Sequence, residues 1–184
     1  MTDTVAGEAI DAIVPSDREL DLQAENLIKN HVMAASAASI VPLPLFDVAA
    51  ITVVQVRLIS KLASLYGKAF SEHSTRNIIA ALGGGVLGHT GGVLTAISLI
   101  KVVPVVGWAL GMVSMPVVAG GTTYALGRVF ARHFKQGGSL ADISVENVRG
   151  YYDEQVQKGK KVAASLKEGL QKRTAPAAAR EQTV

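Results

Sequence analysis

Few residues in this chain have the type and spacing that chemistry requires. The nearest approach to a nucleotide site is Gly83-Gly84-Gly85-Val86-Leu87-Gly88-His89-Thr90, which matches the phosphate-loop spacing G-x-x-x-x-G-K-[ST] except that His89 stands where lysine belongs. That lysine carries positive charge to the terminal phosphates, whereas imidazole is mostly uncharged at neutral pH. The loop also needs a preceding strand and a magnesium-binding aspartate, and neither is apparent. The glycines read instead as a packing face. His31, His73, His89 and His133 lie far apart, with no pair at i,i+3 or i,i+4 to ligate a metal. There is no G-x-S-x-G elbow, no cysteine, and no pair of carboxylates in an apolar setting. The sequence therefore assigns no catalytic residue, metal or cofactor, and the chain is not expected to be an enzyme.

One polar constellation remains. A helix is expected from about Pro44 to Tyr66, closed by Gly67. At 100° per residue Arg57, Ser60, Lys61, Ser64 and Lys68 share a wet, basic face. Ile51, Gln55, Leu58, Leu62 and Tyr66 form the opposite line, so Gln55 sits in the middle of an apolar face with Asp47 at its edge. A buried amide without partners costs about 1–3 kcal/mol. Gln55 is thus expected to be buried and bonded, near Asp47 or a backbone group. Two readings stay open: a satisfied polar pair that fixes register, or a ligand or proton site.

The element that must position these residues is the stretch from Asn77 to Gly127, whose one formal charge is Lys101. Its arms, Asn77 to Ile100 and Val102 to Gly127, would run roughly 36 and 39 Å as helices, against a hydrocarbon core of about 30 Å. Between them Lys101-Val-Val-Pro104-Val-Val-Gly107 supplies a proline and a glycine for a turn. Gly84, Gly88 and Gly92 recur every fourth residue, as do Gly107 and Gly111, a spacing that lets helices approach closely in lipid. The expectation is a membrane-inserted helical hairpin, kinked at Pro116. Arg57, Lys61, Lys68 and Arg76 precede it and Arg128, Arg132 and Lys135 follow, with Glu72 the one acid among them. That bias predicts a multi-pass protein with both termini in the cytoplasm.

Around the hairpin the chain reads as all-α, with about five helices. Residues 1–15 form a leader, acidic and unlike a signal peptide. Ser16 and Glu19 are spaced as a capping box for a helix with Leu20, Leu27, Ile28, His31 and Ala35 on its apolar stripe, ended by Pro42 and Pro44. Ser144 caps a last helix carrying Val145, Val148, Tyr152, Gly159, Val162, Leu166 and Leu170 on one stripe, weakened by Gly150, Gly159 and Gly169. Residues 16–173 make a single helical domain, and 174–184 a disordered tail. The net charge of +3 is too small and dispersed for nucleic acid, and aromatic residues, at 5%, are too few for a stacking surface.

Several of these stretches together resemble a known family. They are Pro42-Leu-Pro44-Leu-Phe-Asp47, Gln55-Val-Arg57-Leu, Leu62-Ala-Ser-Leu-Tyr66-Gly67, Lys101-Val-Val-Pro104-Val-Val-Gly107, Thr123-Tyr124-Ala-Leu-Gly127-Arg-Val-Phe and His133-Phe134, spread from Ala24 to Tyr152. The set is similar to the YcjF-like domain of unknown function, which is found fused behind an Era-like GTPase domain or alone as an inner-membrane protein. The resemblance implies bacterial origin, a helical fold, membrane association and a connection with GTPases. The chain departs from it at Val105, where many members have glycine, and has no Asn-Lys-x-Asp motif of its own. Any GTPase would act in trans.

The expected function is a module of the bacterial inner membrane that anchors or regulates a partner, plausibly a GTPase. It would use Asp47, Gln55 and Arg57 together with the basic last helix. The alternatives are an oligomeric pore built from the glycine-rich hairpin with His89 facing its lumen, and a soluble bundle whose core is the hairpin.

Overall fold

A computed structural model describes residues 15–39, 46–89 and 104–174, and these described residues form five helices and no strand. They are α1 (Asp17–Ala38), α2 (Phe46–Leu65), α3 (Glu72–His89), α4 (Pro104–Lys135) and α5 (Val145–Thr174). The all-α expectation holds. The leader, Pro42, Pro44, Gly92 and Lys101 lie outside the described residues.

Local chemistry sets the ends. The Ser16 hydroxyl accepts from the Glu19 amide at 3.3 Å, and Asp17 and Glu19 lie at the positive end of the α1 dipole. α3 starts at Glu72, a turn before the expected arm, because the Ser71 hydroxyl accepts from the Ser74 amide. Ser144 caps α5 through the Asn147 amide. α2 and α4 both end in Schellman turns. Gly67 (φ +63°) and Gly137 (φ +91°) take the left-handed conformation that side chains disfavour. The amides of Lys68 and Gly138 then reach back to the carbonyls of Ala63 and His133. Lys68 Nζ donates to the Gly137 carbonyl at 2.7 Å, which ties the two helix ends together.

α4 is the central helix, in contact with α1, α2 and α5, whereas α3 packs on α2 and α5. The two apolar arms expected to pair as a hairpin therefore do not lie against each other along their described parts. Ile78, Ile79 and Leu82 of α3 enter the common core, and the flanks of α4 are taken by α1 and α5. The second arm does not end at Gly127 either; α4 continues through Pro116 and Gly127 to Lys135. A Cβ on Gly127 would stand 2.6 Å from Ile28 Cγ1, so this glycine permits close approach of α1 instead of closing a helix.

The core joins Ile28 and Val32, Leu58, Ile59 and Leu62, and Leu126, Val129, Phe130 and Phe134 with Tyr152 and Val156. Each such side chain contributes about 1.5–3 kcal/mol on burial. The Phe130 and Phe134 rings meet at 5.7 Å, and Tyr66 adds a third ring 6.4 Å from Phe134. Burial pushes the Tyr152 hydroxyl pKa well above its ordinary value. On α1 the expected stripe holds for Ile28 and Ala35, with Ala24 and Val32 completing it. His31 is half-buried beside the Leu27 carbonyl at 2.7 Å, and burial lowers its pKa.

The connection from α4 to α5 is built by Asp142. Its carboxylate accepts from the Ser139 amide at 2.6 Å and the Ser139 hydroxyl at 2.7 Å, with His133 Nε2 at 3.4 Å. These bonds, the Ser139 hydroxyl first, hold its pKa at about 2. A depressed carboxylate pKa adds stability above the unfolded-state value and loses it as pH falls through the folded one. Acid unfolding of the wild type should therefore show a decline between 3.8 and about 2 that Asp142→Asn lacks, read by circular dichroism against pH.

Candidate functional site at the apolar end of the bundle

Contacts along α4 fix the direction of its neighbours. α1 runs antiparallel to it, with Lys135 Nζ 2.6 Å from the Asp21 carboxylate and Ser36 Oγ donating to the Pro116 carbonyl at 2.9 Å. α5 is antiparallel as well: Arg132 lies 4.7 Å over the Tyr151 ring, and Ala163 meets Gly120. α2 is parallel, with Gln55 level with Thr122 and Tyr66 beside Phe134. The C-terminus of α1 and the N-termini of α2 and α4 thus share one end. Residues 40–45, which carry no charge, join the first two of these termini, and residues 90–103, whose one charge is Lys101, lead into the third. Met115 on α4 is 40% exposed at this end.

Charge is asymmetric along the bundle. The turns towards the apolar end carry Lys29, Arg57, Lys158, Lys160, Lys161, Lys167, Lys172 and Arg173 against Asp47 and Glu168. The opposite half holds most of the acids, among them Asp17, Glu19, Asp21, Glu25, Asp142 and Glu146. Arg128, Arg132 and Lys135, expected at a membrane entry point, lie in this opposite half. Arg128 is about 20 Å along α4 from Met115, because α4 runs on inside the bundle past Gly127.

Gln55 is buried, as its place on the apolar line predicts. Its amide donates to the hydroxyls of Thr122 and Thr123 on α4, each at 3.3 Å, while the Asp47 side chain lies outside the described residues. The Thr122 hydroxyl donates onward to the Ala119 carbonyl. Among the described side chains no ionisable group enters this cluster, which favours the register-fixing reading. Gln55→Leu alone should cost about 1 kcal/mol, since it strands the buried Thr123 hydroxyl. Adding Thr123→Val should recover most of that, because removing both partners is nearly neutral. Urea unfolding of the single and double variants checks the sign.

Among the described residues, glycines outside the expected repeats bring helices together. A Cβ on Gly159 would lie 2.7 Å from the Gly121 carbonyl oxygen and 2.7 Å from Tyr124 Cβ, and one on Gly120 2.7 Å from Ala163 Cβ. Gly120, Gly121 and Gly159 form a seam where α4 and α5 cross nearly backbone to backbone, with Tyr124 half-buried beside it. The adjacent pair Gly120-Gly121 inside an apolar helix is the signal that could have revealed it. Gly84 and Gly88 lie within helix α3, which also removes the phosphate loop. Pro104 opens α4 and Gly107 follows in its first turns. Arg57 is exposed on α2.

Among the described residues no helix is long and apolar enough to cross a membrane, and no group of His, Asp and Glu could hold a metal ion. The second arm is expected to lie in the membrane from Val102 to Gly127, but from Ala119 onward it belongs to the protein core. The described helix ahead of Met115, from Pro104, reaches only about 17 Å, short of the roughly 30 Å of a hydrocarbon core.

This five-helix chain belongs to the domain of unknown function DUF697, whose family model matches residues 8–161. That description, and not the narrower YcjF-like one, is the level at which the resemblance holds. The chain is similar to magnetosome membrane protein 22 of Magnetospirillum gryphiswaldense, 55% identical over 147 residues that cover 80% of this chain and 75% of that protein. No solved structure matches.

Proposed function

We propose that this chain is a membrane-associated helical module that stands on a bacterial membrane by its apolar end and serves as an anchor or regulator without catalysing a reaction. The observation that carries this reading is that the C-terminus of α1 and the N-termini of α2 and α4 share one end, into which the uncharged segment 40–45 and the segment 90–103, with Lys101 alone, lead. The basic turns behind that end suit anionic headgroups, each lysine or arginine near such a surface adding about 1 kcal/mol. The relative named for the magnetosome membrane supports the same placement, with that membrane or the inner membrane as the bilayer.

The apolar arms would enter the near leaflet and return, since the roughly 17 Å of α4 from Pro104 to Met115 is too short to span. Both termini then remain on the cytoplasmic side. A protein partner, a GTPase acting in trans by the resemblance above, would meet the water-facing surfaces of α2 and α5; a homo-oligomer is a further possibility for the apolar end. Thiol labelling tests the topology in a chain without cysteine. Carbonate-washed membranes should retain the protein, and V103C should resist a membrane-impermeant reagent in intact spheroplasts. Labelling of V103C from outside would mean that the arms cross, and loss of the protein to the carbonate supernatant would remove the membrane reading.

A further inference from the structure

At the end away from the apolar links, a cleft of about 680 Å³ opens between α1, α4 and the first turns of α5, with Tyr66 at its edge. That size suits a small organic ligand. Arg128, Arg132 and Lys135 line it from α4, Asp21 and Glu25 from α1, and Tyr151 from α5. The carboxylates are already engaged: Asp21 holds Lys135 at 2.6 Å, and Glu25 holds Lys29 at 2.7 Å. Among the described residues neither arginine has a carboxylate partner within ion-pair distance. Arg132 is laid over the Tyr151 ring, a cation–π contact that fixes its plane while its N–H groups stay at the cleft. Arg128 Nε is buried and is the described side-chain atom left without a hydrogen-bond partner.

A buried, unpaired donor of a charged group is costly, and a guanidinium offers a planar fork of donors that matches the oxygens of a phosphate. We infer that this cleft binds a phosphate group, held in the fork of Arg128 with Arg132 as the second cation. Lys135 and Asp21 form its rim. A phospholipid headgroup and a free phosphate compound share this chemistry. The position, about 20 Å along α4 from Met115 at the apolar end, favours the free compound.

Calorimetric titration of the full chain in neutral detergent tests this, with inorganic pyrophosphate as one probe and micelles doped with an anionic phospholipid as the other. Saturable binding of pyrophosphate is expected, weakened about ten- to a hundredfold in Arg128→Gln and also in Arg132→Gln, whose exposed side chain can change without unfolding the protein. Arg128→Lys, which keeps the charge and loses the fork, should weaken it too, and Arg57→Gln on another face should not. Arginine-dependent binding of the doped micelles alone would support the site with a headgroup as the source. Absence of saturable binding to either probe, or binding indifferent to Arg128 and Arg132, would overturn it. The membrane reading fails separately, because Arg128→Gln should still associate with membranes.

Discussion

Phe130→Ala is expected to destabilise the bundle by about 3–5 kcal/mol. Phe130 is fully buried on the central helix, where its ring packs on Phe134 and its neighbours come from the other helices of the core. Truncation removes the transfer free energy of the ring and leaves a cavity that side chains anchored on separate helices cannot close. A domain is typically stable by only 5–15 kcal/mol, so the variant should show a greatly lowered denaturation midpoint. Leu22, 55% exposed, is the control, and Leu22→Ala should shift the midpoint little. A Phe130→Ala cost below about 1 kcal/mol would mean that the helices do not share one core.

Gly159→Val should be nearly as damaging, for the opposite reason. The seam has no space: the nearest atom to an added Cβ is the Gly121 carbonyl oxygen, part of a helix backbone that cannot swing aside. Overpacking typically costs 1–3 kcal/mol, and a branched side chain should take it to about 3 or beyond. Gly150, in the same helix, meets nothing within 4 Å, so Gly150→Ala should instead stabilise by about 0.5–1 kcal/mol. Opposite signs at two glycines of one helix separate a packing role from a propensity effect. Chemical denaturation of the two variants reads both, and stabilisation at both sites would remove the seam.

The sequence reading fared best where a local rule decides the outcome. The Ser16 cap, the glycine closures and the burial of Gln55 follow from residues close in the chain, and so does the all-α class. Tertiary choices were less legible. An uncharged run such as Val102 to Gly127 has no polar side to say which face meets lipid and which meets protein, so its lower half was mistaken for a membrane segment. The partner of Gln55 depended on which helix lay opposite, and periodicity along α2 is silent on that. Four-residue glycine spacing is visible only within one helix, whereas the seam pairs Gly120 and Gly121 of α4 with Gly159 of α5. Arg128 and Arg132 read as topology charges because nothing in their spacing shows the cleft that they line.

The most direct measurement of the membrane reading is fluorescence quenching at a chosen depth. An environment-sensitive dye on V103C, with the protein bound to vesicles holding spin-labelled lipids, should be quenched by labels within the near leaflet. The same dye on S165C, on an exposed position of α5, should be unaffected. Equal, weak quenching at both positions would contradict the account, because the apolar end would then not be in the bilayer.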